Sequence, residues 1–301
     1  MKKLISLIII ISSFLSLFAC SPVQNGDGIS IITTCFPLYD FARELIGEKG
    51  SVTLLLKPGQ DSHSYDPSLK EIARIKNCDL FLAIGGEDEK WVKELLSSSD
   101  LKNLERLYLV NSFGHIEHEE HNGHSHNDEH FWTSPKNAAV MVKEIAQKLI
   151  SLFPEEKEYI SANLTEYLMK LDALDSAFAE VGELAKGKTV IFGDRFPFTH
   201  LFCDYGIEYL SAYPGCSDMT EPSASTVVEL INTVKENGIK TVFVTEMSNG
   251  SLADTICSET GAEKAVLHSC ANITKLDKQN GETYISLMTK NAETLKNSLQ
   301  K

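Results

Sequence analysis

From residue 29 onward, short runs rich in Ile, Val, Leu and Thr alternate with stretches whose apolar positions return every three or four residues. The first pattern fits extended strands, and the second fits helices with one buried face. Strands are predicted over 29–34, 52–56, 79–84 and 107–111, with helices over 38–46, 68–76 and 87–97 between them. No element is predicted between 111 and 154. The pattern then changes. Ile160, Leu164, Leu168, Leu171, Leu174, Phe178 and Val181 recur at threes and fours, and no Gly or Pro intervenes between Pro154 and Gly182. A helix of about thirty residues spans roughly 45 Å, far beyond the usual three or four turns. Such a helix can run the length of the molecule and join two lobes. After Gly187 the alternation resumes, with strands at 189–192, 207–211, 241–245 and 265–267 and helices at 198–205, 225–237, 252–260 and 284–299. Strands alternating with helices imply parallel sheets covered on both faces, so the expected class is α/β. The divisions expected are an N-terminal lobe over 29–153, a linker helix over 154–186 and a C-terminal lobe over 187–301.

The first residues bear on compartment. Lys2 and Lys3 precede an apolar run over 4–18 that ends at Ala19-Cys20. That run is too short for a membrane span and ends at a small-residue cleavage point, so 1–19 reads as a signal peptide. Leu17-Phe18-Ala19-Cys20 resembles the bacterial lipobox, which implies that Cys20 becomes a lipid-carrying N-terminus. Residues 20–28, polar and rich in Pro and Gly, then read as a tether. The formal charge is −14, and it becomes more negative once Lys2 and Lys3 are removed. Nucleic acid is thereby disfavoured as a partner, since phosphate binding needs a basic surface. An acidic surface favours cations, but weakly and without selectivity. Beyond Cys20 the cysteines are Cys35, Cys78, Cys203, Cys216, Cys257 and Cys270. An even number in an exported chain permits disulfides without fixing their pairing, and no CxxC spacing suggests a thiolate zinc cluster.

Histidine carries the chemistry, because neutral imidazole is the commonest transition-metal ligand. Of 9 histidines, His115, His118, His121, His124, His126 and His130 fall in one tract, interleaved with Glu117, Glu119, Glu120, Asp128 and Glu129. The tract cannot bury a core and is expected to be a mobile loop that gathers metal ions. His126-Asn127-Asp128-Glu129-His130 matches the H-x-x-E-H pattern of inverted zinc peptidases. That chemistry needs a helix, which Gly123, Asn127 and the following Pro135 make untenable, so the match is set aside. His63 follows a strand in Lys57-Pro58-Gly59-Gln60-Asp61-Ser62-His63, and His268 follows the last strand. Asp194 and Glu246 likewise stand just beyond strand ends, where α/β sheets bind ligands. His200 lies among Phe198, Leu201 and Phe202 and reads as a core or surface histidine.

These residues together resemble the metal-binding lipoproteins of ABC importers for zinc and manganese, the cluster A-I solute-binding proteins. The resemblance runs over nearly the whole chain beyond the tether. It is most specific over 58–68, which carries His63, and over His130-Phe131-Trp132-Thr133-Ser134-Pro135, where the family usually has His-x-Trp-x-Asp-Pro. A histidine-rich loop before that point is common among zinc members. The resemblance implies two Rossmann-like lobes, a metal site between them and a long helix that limits hinge motion. It implies His63, His130 and His268 as ligands, with Glu246 near the site as a ligand or a support. The family's third-ligand position falls on Arg195, whose guanidinium cannot bind a cation, so the neighbouring Asp194 is the expected substitute. Cys216 and Cys270 fall on site-side loops and could pair. Three imidazoles and one carboxylate suit Zn²⁺, whereas Mn²⁺ prefers more oxygen. The implied role is extracytoplasmic metal capture by a lipid-anchored monomer that delivers to an ABC permease and its ATPase. No catalytic group is expected. Mn²⁺ or Fe²⁺ capture, a secreted zinc hydrolase and a surface adhesin are the alternatives.

Overall fold

The computed structural model describes residues 28–60, 65–86, 89–97, 101–113, 128–213 and 222–301. The signal segment 1–19, Cys20 and nearly all of the tether lie outside the described residues. So do His63, the loop histidines His115, His118, His121, His124 and His126, and Cys216.

Two four-stranded parallel sheets form the frame. In the first, β1 (Ile29–Thr33), β2 (Gly50–Leu54), β3 (Leu80–Ala83) and β4 (Arg106–Tyr108) lie in the order β2-β1-β3-β4. In the second, β5 (Thr189–Phe192), β6 (Glu208–Ser211), β7 (Thr241–Thr245) and β8 (Glu263–Leu267) lie in the order β6-β5-β7-β8. The two orders are the same topology repeated, and the α/β expectation with two similar halves holds. In each sheet the chain turns from one side to the other around the first strand. Loops at the carboxyl ends of β1 and β3, and of β5 and β7, therefore open onto a crevice.

The helices cover these sheets. They are α1 (Phe36–Ile46), α2 (Leu69–Lys76), α3 (Lys90–Leu96), α4 (Pro135–Leu152), α5 (Lys157–Ala185), α6 (Thr199–Asp204), α7 (Ala224–Glu236), α8 (Ser251–Thr260), α9 (Lys275–Asn280) and α10 (Tyr284–Leu299). Ser68 starts α2 with a reciprocal capping box: its hydroxyl accepts from Glu71 N–H, while Glu71 Oε2 accepts from Ser68 N–H at 2.7 Å. The long helix is present as α5, 29 residues, after a 3₁₀ turn at Pro154–Glu156. Among the described residues no helix is long and apolar enough to cross a membrane.

Two helices were not predicted, α9 and α4. The larger, α4, carries ordinary signals: Ser134 caps it, Pro135 opens it, and Ala138, Met141, Val142, Ile145, Ala146 and Leu149 are buried on one face. Two of those six positions are alanine, which blurs the apolar stripe in sequence.

One core runs through both halves, from Ile31 and Leu82 through Met141, Leu171 and Phe178 to Phe192 and Leu267. Helix α5 lies between, so the lobes are joined by packing as well as by chain. Asp40 of α1, 1% exposed, is the polar rivet of this region. Its Oδ2 accepts from Tyr284 N–H at 2.9 Å and from the Tyr167 hydroxyl at 3.5 Å, and its Oδ1 pairs with Arg43 at 2.8 Å. Burial pushes the Asp40 carboxyl above its ordinary pKa despite these partners. Asp40→Ala would leave the buried Tyr284 N–H and Tyr167 hydroxyl without an acceptor. A loss of about 2 kcal/mol in urea unfolding is expected, and Asp40→Asn should recover part of it. An unchanged unfolding midpoint for the alanine variant would contradict this account.

Candidate metal centre

His130 stands where the chain enters α4, as the residue that caps a 3₁₀ turn over Phe131–Thr133. It is buried, and Asp128 grips it twice. Asp128 Oδ1 accepts from the His130 backbone N–H at 2.9 Å and lies 2.6 Å from ring Nδ1. A carboxylate at Nδ1 holds the ring proton there, so Nε2 is the nitrogen that carries the lone pair. Burial alone would raise the Asp128 carboxyl, but the His130 ring, its hydrogen bonds and the nearby His200 outweigh it and hold the group below the usual range.

Two more buried carboxylates flank this point. Glu129 lies across Gly86, where an added Cβ would meet its carboxyl carbon at 1.9 Å; only glycine admits the contact. Glu89 Oε2 accepts from Gly85 N–H at 2.8 Å. Burial, reinforced by the charge of Glu129, pushes the Glu89 carboxyl up to about 7.

Ser134 stands where the resemblance expects Asp. Its hydroxyl caps α4 and donates to Asp204 Oδ2, across to the C-terminal half. An aspartate there would set two carboxylates against each other, so serine at 134 and aspartate at 204 are matched.

The C-terminal half brings a loop to the same junction. Asn291 holds His268 by both backbone groups, accepting its N–H at 2.7 Å and donating to its carbonyl at 2.8 Å. Both nitrogens of the His268 ring are engaged: Nδ1 accepts Cys270 N–H at 3.0 Å, and Nε2 faces Asp277 Oδ2 at 3.3 Å. Cys270 has φ 60°, alone among described non-glycine residues in the left-handed region. Glu246 accepts from Ser269 N–H at 2.8 Å and from its hydroxyl at 2.7 Å, and lies 3.8 Å from His268 Nδ1. Asp194 sits apart from these, its Oδ2 accepting Thr245 N–H at 2.9 Å and the Thr245 hydroxyl at 2.6 Å. It thereby ties the carboxyl ends of β5 and β7.

The halves meet through hydrogen bonds that land beside these residues. Trp132 Nε1 donates to Ser269 carbonyl at 2.8 Å, and the rings of His130 and Trp132 are 5.1 Å apart. Asn272 donates to Lys57 carbonyl at 2.7 Å and to Gln60 carbonyl at 2.8 Å, clasping the turn that precedes His63. That turn has Pro58 followed by Gly59 at φ 81°, the type II pattern, which needs a residue free to take positive φ.

The structure therefore draws His130, His268 and Glu246 to one junction and leaves Asp194 bracing the second sheet. Among the described residues no three His, Cys, Asp or Glu side chains converge as a metal ion requires. Cys35, Cys78, Cys203, Cys257 and Cys270 are free thiols, and the suggested partner of Cys270 lies outside the described residues. Two contributors were not singled out from sequence, Asp128 and Glu89, and His200, read there as a core or surface histidine, is buried with its Nε2 2.7 Å from the Asp128 carbonyl. Asp128 is hidden among the acidic residues of the histidine tract; only its place two residues before His130 hints at its role.

The sequence profile of the family described as zinc-uptake complex component A, periplasmic (ZnuA), matches residues 31–298. The zinc-binding lipoprotein AdcA of Streptococcus pneumoniae serotype 4 is 35% identical over 98% of this chain, and the match spans 61% of AdcA. The high-affinity zinc uptake system protein ZnuA of Bacillus subtilis is 32% identical, covering 99% of this chain and 98% of that protein. The Zn(II)-bound ZnuA-like domain of S. pneumoniae AdcA superposes with a TM-score of 0.76 at 32% identity, over 91% of this chain and 100% of the domain. A profile match across both sheets and the helix between them, on a fold that superposes with that domain, settles the lineage: this chain belongs to the ZnuA family of zinc-uptake component A proteins.

Proposed function

We propose that the protein captures Zn²⁺ outside the cytoplasm and delivers it to an ABC importer, its partners being the permease and ATPase. Relatives named as zinc-binding and zinc-uptake proteins support this reading. The single observation in this chain that carries it is His130, buried at the junction of the halves with Nδ1 held by Asp128. An imidazole fixed in that tautomer is prepared to bind a cation through Nε2, and a ligand at the junction draws on both lobes. The lobes are 29–153 and 187–301, with 154–186 as the linker.

His63, three residues beyond the turn that Asn272 clasps, supplies the second imidazole. His268 joins from the C-terminal lobe at a cost. Ligation through Nε2 requires a proton on Nδ1, so the bonds to Cys270 and Asp277 must both be given up. Asp194 and Glu246 are the candidates for the one carboxylate that completes the four-donor set; Glu246 lies 3.8 Å from the His268 ring, and Asp194 braces β5 and β7 through Thr245. The loop histidines His115, His118, His121, His124 and His126 gather ions for this centre. Lipid on Cys20 holds the chain, as a monomer, at the outer face of the membrane. No enzymatic role is assigned.

The test is competitive titration of metal-stripped protein with Zn²⁺ and Mn²⁺. One tight equivalent of zinc, displaced only by large manganese excess, is the expected result. Tighter binding of Mn²⁺ would sink the zinc assignment, and imidazole-rich donors predict the reverse.

A further inference from the structure

The geometry points to His200 as a positioning residue: a histidine of the C-terminal half that sets the metal-binding ring of His130 through the backbone of Asp128. This inference rests on the reading of His130 as a zinc ligand and adds a device to it.

His200 is on α6, in the C-terminal half, and is 4% exposed. Its Nε2 lies 2.7 Å from the Asp128 carbonyl oxygen. A carbonyl only accepts, so Nε2 carries the hydrogen and donates it; the tautomer follows from the partner. The imidazole also lies against Phe131, with ring centroids 4.8 Å apart, and Phe131 stacks on Phe113 at 4.3 Å. His200 thus touches both neighbours of the critical pair: the carbonyl of the residue that orients His130, and the ring of the residue that follows it.

The chain of contacts is short. Asp128 Oδ1 serves the His130 backbone N–H and ring Nδ1 together, so it can do so only from one backbone position. His200 supplies a donor from another element to that backbone, at the Asp128 carbonyl. Ser134 to Asp204 makes a second bridge between the same two segments, at the far end of the 3₁₀ turn. Between them the two contacts pin the His130 segment to α6, so the ligand's direction depends on the C-terminal half before any ion is bound. Partners of a ligand's other nitrogen typically change metal affinity by about 10- to 100-fold when removed.

The experiment uses the full mature chain with Zn²⁺ and, as a spectroscopic probe, Co²⁺. His200→Phe keeps a ring against Phe131 but has no donor; His200→Gln offers an amide N–H at similar reach. His200→Phe is expected to weaken zinc roughly tenfold, the lower end of that range, and to alter the visible Co²⁺ bands. His200→Gln should restore both. In a His130→Ala background, His200→Phe should cause no further loss. His200→Leu serves as the donor-free variant if the phenylalanine does not fold. Wild-type zinc affinity in the donor-free variant overturns the inference while leaving the zinc reading intact. A glutamine variant no better than phenylalanine, or an added loss in the His130→Ala background, overturns it in favour of a packing role. If wild type binds no zinc and His130→Ala is no different, the underlying reading fails instead.

Discussion

Replacing His130 by alanine should weaken zinc binding by roughly a hundredfold or more, and His63→Ala should do the same. Four-donor zinc sites are worth about 10–16 kcal/mol, so one donor carries roughly 3 kcal/mol, which is more than a hundredfold in affinity. The effect of His268→Ala is expected to be smaller. Its ring must release Cys270 N–H and Asp277 to bind an ion, and each exchange offsets about 1 kcal/mol of what ligation contributes. The order of effects is therefore His63 and His130 first, His268 after them. Isothermal titration against a competing chelator measures it. Equal losses at all three positions would show that the His268 ring is not held as described, and no loss at His130 would remove the centre itself. Zinc binding should also fail as pH falls through the histidine range, because a protonated imidazole cannot donate to a metal.

Glu89→Gln should stabilise the metal-free protein at pH 8 by up to about 3 kcal/mol and flatten its pH dependence. Burial raises the Glu89 carboxyl to about 7 from an ordinary 4.5. Above pH 7 the group is ionised in folded and unfolded chains alike, and the folded state carries the whole cost of a buried charge. Below 4.5 both states are protonated and the cost is gone. Wild-type stability should therefore rise from this group as pH falls from about 7 to 4.5. Glutamine keeps an oxygen for Gly85 N–H without the charge. Urea unfolding of both proteins at pH 5 and pH 8 isolates the effect, since every other titrating group is common to the pair. Parallel pH profiles for the two would refute the assignment.

Much of this was legible in sequence because it rests on local rules. Alternating strand and helix periods gave two parallel sheets, and an unbroken run of apolar threes and fours gave α5. Strand ends followed by polar residues marked His268, Glu246 and Asp194. Ser68 and Glu71 announce the start of α2 by their spacing alone. Where local signals were diluted, the reading missed: the alanines of α4 dull its apolar face, and the six residues of α9 are too few to show a period.

What only the tertiary structure decided is which polar groups serve one another. Asp194 resembles a ligand by position, and its Oδ2 accepts twice from Thr245, because β5 and β7 are neighbours in the sheet although their first positions, Thr189 and Thr241, are 52 apart in the chain. His200 resembles an ordinary core histidine until α6 is seen against Asp128. Ser134 reads as a defect in a motif until Asp204 is found beside it. Sequence determines the class of fold, the compartment signals and the residue types suited to a transition metal, since period and chemistry are properties of single segments. Hydrogen-bond partners, tautomers and buried charges belong to pairs of segments, and only folding brings those pairs within 3 Å.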